Sequence, residues 1–488
     1  MTVQHDPVDA ATPADPAVDP ATPVHAVPAA RTGQEPAGIV EQLRSRVTGD
    51  LLDIVVDLDA GDGCRLRDAR DGTEYLDMTM FFSSAPLGHG HPDLRDPDFE
   101  SALLRAARVR PSNPDFATTE QARFVEVLQR VVGDPQLPLL FFIDGGALAV
   151  ENALKVAFDW KTKHNARGGV AVRGSRALHL ERAFHGRTGY TLSLTNTDPT
   201  KTRDYPAFDW PRIPSPAVEA GPRWDEPDLL AEERVALKAA AAALHRYGRE
   251  IACFVYEPIQ GEGGDRHLRP RFLRALQDLC RDHDVLTVAD EVQTGGGLTG
   301  QAWAHQALGL EPDLVAFGKR LQVCGVLGGR RVLDIPDNAF REGSRISSTW
   351  GGSLVDMVRA TRILEVVERD DLFARARDTG EVLLARLREL AAEFPELVAR
   401  PRGRGLMCAL SFHQPALRDR AIALARERRR ALFLPSGPDS VRFRPPLTAR
   451  ADEVTAAVDA LRAVLGELSA TKAATARPAS APASSDPR

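Results

Sequence analysis

The chain has 488 residues, 43% of them hydrophobic, and its 62 basic and 68 acidic residues leave a formal net charge of −6. That apolar content excludes a wholly disordered chain and supports a large buried core. The acidic balance argues against general nucleic-acid binding, which asks for a basic face.

Residues 1–38 are rich in Pro, Ala, Asp and Thr, lack aromatics, and are expected to form a disordered tail. They carry neither a basic n-region nor an apolar stretch, so no secretory signal is expected. The five cysteines are scattered and include no CxxC pair. That spacing favours a reducing, cytoplasmic setting over a disulfide framework or a structural zinc site. Residues 39–110 are expected to contribute to a small domain, and 111–352 to form a large one.

Within the large domain, LPLLFFID (137–144) reads as a buried strand. A helix follows it, with Ala147, Leu148, Val150, Leu154, Ala157 and Phe158 at helical spacing. Further strands are expected at 176–181, 251–258, 285–291 and 313–317, with a helix at 270–283 opened by Pro270. Strands alternating with helices imply an α/β fold whose mostly parallel sheet is covered on both faces. From about 353 the character changes. Amphipathic helices at 354–369, 371–393, 416–430 and 452–467 flank strands at 405–412 and 440–446. This reads as a smaller α+β domain over 353–468, followed by a second tail over 469–488. No apolar stretch approaches the ~20 residues that cross a bilayer, so no membrane partner is expected.

Four features could carry chemistry. GGGLTG (Gly295, Gly297, Gly300) satisfies GxGxxG, but polar residues separate it from the preceding strand and no acidic residue follows at the required distance. Gly145 and Gly146 lie between a strand and a long helix, as either a tight turn or a phosphate cradle at a helix N-terminus. Asp290 ends a strand, as either a capping residue or the partner of a buried cation. Lys319 follows the next strand, as either a solvated charge or a nucleophile made reactive by desolvation. Together the last three suit pyridoxal phosphate, which needs an anion site, a carboxylate for its ring nitrogen and a Schiff-base amine.

The stretches FIDGGALAVENALK, AFHGRTGY, YEPIQGEGGD, VADEVQTGGGLTG, PDLVAFGK, STWGG and VRFRPPL resemble the class III (ornithine-type) pyridoxal-phosphate aminotransferases, of fold type I. The resemblance covers roughly residues 45–468. It implies that Lys319 is the Schiff-base lysine, that Asp290 pairs with the pyridinium nitrogen, and that Gln293 hydrogen-bonds the ring hydroxyl. Val292 and Phe184 would sandwich the ring, and Gly146 and Ala147 would donate backbone N–H groups to the phosphate. Thr349 would reach the phosphate of a second subunit, making the active form a homodimer. Arg187 would bind a distant substrate carboxylate, and Glu262 would shield Arg442.

Within the family, GGALAVENALK and FGKRLQVCGV lean towards members that move the ε-amino group of L-lysine to 2-oxoglutarate. The products there are 2-aminoadipate 6-semialdehyde and L-glutamate. Ornithine, 4-aminobutyrate or another ω-amino acid is the alternative donor, and an NAD-dependent oxidoreductase the remote one. The chain departs from the family at Gly296, commonly aromatic, and at Leu298, commonly arginine. Cys324 is expected to be a packing residue.

Overall fold

The computed structural model describes residues 36–47, 49–217 and 227–476. Most of both expected tails, 1–35 and 477–488, lies outside the described residues. The final helix, Ala451–Ala476, runs past the expected end at 468. The chain divides into a unit up to Val55 and a second from Val56 onward. In the first, a short helix spans Ile39–Arg44. Everything below concerns the second.

Its central sheet has seven strands: β1 Leu139–Ile143, β2 Arg176–Leu180, β3 Arg212–Ile213, β4 Ile251–Tyr256, β5 Leu286–Asp290, β6 Leu314–Phe317 and β7 Cys324–Gly328. Their spatial order is β1-β7-β6-β5-β4-β2-β3. Neighbours pair in parallel except around β7, which runs antiparallel to both β1 and β6. Strands β4, β5 and β6 are buried at every position, as expected where helices cover both faces.

Alternation assigns those faces. Leu314 and Ala316 join Val255 and Val288 against the helix Gly146–Arg167, which contributes Val150, Leu154 and Ala157. Val315 and Phe317 turn the other way, to Phe272 and Leu276 of the helix Pro270–Asp282 and to Phe124.

A second sheet is wholly antiparallel. Its strands β8 Val398–Arg404, β9 Met407–Phe412, β10 Leu434–Ser436 and β11 Ser440–Phe443 lie in the order β8-β9-β11-β10. Val441 and Phe443 pack with Leu410, Phe412, Leu383 and Leu461 in the core beneath the helices Leu372–Glu393 and Ala451–Ala476. The intervening Arg442 and Arg444 therefore face the opposite way, towards Glu262 and Gln293.

Two departures from the family pattern have a packing reason. Gly296 has φ +72°, and a Cβ there would sit 2.9 Å from the Cβ of Arg320, so a larger side chain has no room. Leu298 is fully buried among Leu372, Leu406 and Leu447, apolar surroundings in which burying a guanidinium would be costly.

Candidate active site

The carboxyl ends of the parallel strands supply one crevice, where open α/β sheets hold ligands. Asp290 ends β5, Glu257 follows β4, Lys319 follows β6, Phe184 and His185 follow β2, and Gly146 follows β1. These residues line a cavity of about 440 Å³, together with Ala147, Arg187, Val292, Gln293 and Cys324.

Asp290 is buried, and its Oδ2 lies 2.8 Å from Nδ1 of His185. Burial works against a charge on that imidazole. The hydrogen bond and the charge of Asp290, with that of Glu257, outweigh it and raise the His185 pKa. Glu257 takes backbone N–H bonds from Phe184 at 3.0 Å and Gly261 at 2.9 Å. Burial still pushes its carboxyl up to about 7. Lys319 sits at φ +48°, in the left-handed region. Desolvation, then the charges of Arg442 and Arg444, lower its amine to about 8.

Opposite, the 22-residue helix Gly146–Arg167 begins without a side-chain cap and without an acid in its first turn. Its first N–H groups and dipole are thus available to an anion. A Cβ on Gly146 would come within 2.7 Å of Val292 Cγ1, so only glycine leaves this approach open. Burial raises the Cys324 thiol above its ordinary value, and its sulfur occupies the space a Cβ on Gly318 would need.

At the rim, Arg442 Nη2 meets Glu262 Oε2 at 3.0 Å, and Lys201 Nζ meets the other oxygen, Oε1, at 2.7 Å. Burial pushes the Glu262 carboxyl up, but the two cations prevail and hold it below the usual range. Gln293 Oε1 accepts from Arg444 Nη2 at 2.8 Å and Nε at 3.2 Å. The guanidinium of Arg187 lies 5.9 Å from the Phe184 ring centre. Thr349 is exposed and does not line the cavity of its own chain. Four residues of this site had no role in the sequence reading: His185, Glu257, Lys201 and Arg444.

The cavity suits pyridoxal phosphate on its own observations. It offers an uncapped helix N-terminus opened by a glycine, a buried carboxylate hydrogen-bonded to an imidazole, and a lysine with a lowered pKa. His185 also keeps a buried Nε2 with no hydrogen-bond partner among the described residues.

A sheet of this topology with a lysine and an aspartate at adjacent strand ends defines a vitamin B6 enzyme of fold type I. The chain matches the family described as Aminotransferase class-III over residues 49–465, and it belongs to that family, whose cofactor is pyridoxal 5′-phosphate. The L-lysine-epsilon aminotransferase of Mycobacterium tuberculosis is 54% identical over 432 residues, 88% of this chain and 96% of that one. The one from Amycolatopsis lactamdurans is 51% identical over 442 residues, 90% and 98% of the two chains. A solved lysine aminotransferase from M. tuberculosis superposes with a TM-score of 0.87 at 54% identity, covering 89% of this chain and all of that one.

Proposed function

We propose that this aminotransferase moves the ε-amino group of L-lysine to 2-oxoglutarate, giving 2-aminoadipate 6-semialdehyde and L-glutamate. The observation that carries this reading is the buried Arg442 neutralised by Glu262. Lysine must react at its distal amine, 2-oxoglutarate at its α-carbon. An unshielded Arg442 would capture lysine's own α-carboxylate and present the wrong amine. With Glu262 in place, that carboxylate goes to Arg187, and the ε-amine reaches inward. 2-Oxoglutarate brings a second carboxylate, and Glu262 yields Arg442 to it. One anion replaces another, which avoids the ~3–5 kcal/mol cost of a stranded buried charge. The names of the relatives support the same donor: those at 50–54% identity are lysine enzymes, while those named for 4-aminobutyrate stand at 30–33%.

When bound, pyridoxal phosphate supplies an aldehyde that condenses with amines and a cationic ring that draws electrons from the substrate carbon. Gly146 and Ala147 would hold its phosphate by backbone N–H groups, Val292 and Phe184 its two faces, Asp290 its ring nitrogen and Gln293 its ring hydroxyl. Lys319 would bind it and then carry a proton at Nζ, which a pKa of about 8 suits to duty near neutral pH. Thr349 would complete the phosphate site of a second subunit, so the working form is a homodimer with shared sites. The five free cysteines are consistent with a cytoplasmic enzyme, and among the described residues no helix is long and apolar enough to cross a membrane.

A panel of amine donors offered to the purified holoenzyme with 2-oxoglutarate tests this reading. Lysine should turn over fastest and give an aldehyde-trappable product; faster turnover of ornithine or 4-aminobutyrate would overturn the assignment.

A further inference from the structure

Glu262 is held by two cations, one on each carboxylate oxygen. Arg442 is almost completely buried, with 4% of its side chain exposed, whereas Lys201 is at 21% and Glu262 at 28%. Lys201 comes from a short turn, Pro199–Lys201, pinned at its start by Asp198, whose Oδ1 accepts from Thr200 N at 2.9 Å. Its ammonium also lies 5.5 Å from the centre of the Phe184 ring, a second contact that fixes where it sits. Resting on the exchange proposed above for Arg442, we propose that Lys201 is its third member. It retains Glu262 by Oε1 when a substrate carboxylate takes Arg442, and so sets affinity for the 2-oxo acid.

The asymmetry of the two states gives the direction. While Glu262 is on Arg442, the carboxylate has two cationic partners, and loss of one leaves the other. Once it has left Arg442, Lys201 is its sole partner in a half-buried position. Removing Lys201 therefore disfavours the released state more than the shielded one. The lysine half-reaction uses the shielded state, and the 2-oxoglutarate half-reaction uses the released one. Lys201 is thus a positioning residue that acts through Glu262.

The experiment is a double-mutant cycle on the holoenzyme with Lys201→Met, Glu262→Ala and the pair. Each half-reaction is followed in single turnover, and glutarate affinity is measured by calorimetry. Lys201→Met should weaken 2-oxoglutarate and glutarate binding roughly tenfold, the size of one charge-assisted hydrogen bond. The lysine half-reaction should stay within about twofold. Lys201→Arg should restore binding, which separates the switch from misfolding. In the Glu262→Ala background the effect of Lys201→Met should vanish. An undiminished effect there, or equal losses in both half-reactions, would overturn the role of Lys201. If Glu262→Ala alone fails to impair lysine more than glutamate, it is the exchange at Arg442 that falls, and this proposal with it.

Discussion

Arg444 donates from Nη2 to the side-chain oxygen of Gln293 at 2.8 Å, while Nη1 is bound to Asp265 Oδ2 at the same distance. The oxygen of the amide is thereby engaged, and its N–H₂ end is the end left to donate into the cavity. A fully buried ion pair is thus spent on the orientation of one neutral side chain.

Arg444→Met should cost about 3–5 kcal/mol, because Asp265, with none of its side chain exposed, keeps its charge without a partner. Denaturant midpoints would show the loss. Adding Asp265→Asn should recover much of the stability, whereas cofactor retention, given the role proposed for Gln293, should remain weakened in both variants. Recovery of both together would mean that Gln293 needs no orienting partner.

Asp290→Asn keeps the shape and removes the charge. A charge pair at ~4 Å contributes about 4 kcal/mol at an effective dielectric of ~20. Both half-reactions should therefore slow about a thousandfold, with folding intact. His185→Asn should produce a smaller loss of the same kind, since it removes the 2.8 Å bond that holds Asp290 and leaves the carboxylate itself in place. Half-reaction rates read from cofactor absorbance compare the two.

The lowered pKa of Lys319 gives a pH expectation with a definite sign. Below about 8 the amine is protonated and cannot condense, and above it the free base dominates. The rate at which cofactor-free enzyme takes up pyridoxal phosphate should rise with pH, with its inflection near 8 and a plateau above it. An inflection near 10.4, the ordinary lysine value, would place Lys319 in water.

His305 is enclosed between Glu291 at 3.0 Å and Asp134 at 3.1 Å. Burial alone would lower its pKa, but the two carboxylates raise it to about 9. A group raised on folding stabilises most below its unfolded pKa of about 6.5. That stability is lost as pH climbs through about 9. The free energy of unfolding should fall between pH 7 and 10 by up to about 3 kcal/mol, as denaturant titrations at each pH would show, and His305→Asn should flatten that part of the profile.

Arg442 entered through the family resemblance, and strand alternation gives its placement a physical reason. VRFRPPL places two arginines on one face and Val441 and Phe443 on the other, and the apolar pair belongs to a core. Asp290 and Lys319 were legible as polar residues ending apolar runs. The contacts of Lys201 and Arg444 were not: Lys201 meets Glu262 across 61 residues and Arg444 meets Gln293 across 151, and no local pattern encodes such a meeting. Strand β7 escaped for a different reason. CGVLG has little β-propensity, and its Gly325 is required because a Cβ there would stand 2.2 Å from the carbonyl oxygen of Phe141 on the neighbouring strand. The strand Val398–Arg404 is hidden by its proline, Pro401, by its charges and by a register break between Ala399 and Arg402.

Thr349 lies outside the cavity of its own chain, in an exposed turn beside Trp350, over which the guanidinium of Arg110 stacks at 3.5 Å. If it completes the phosphate site of a second subunit, the two lesions Lys319→Ala and Thr349→Ala should complement one another. In a mixed dimer one site then carries both defects and the other carries neither. Assayed at limiting cofactor, where weak phosphate binding is exposed, a random mixture of the two variants should recover about a quarter of the wild-type activity. If Thr349 acted within its own chain, every site in the mixed dimer would hold one defect. Mixing would then restore nothing.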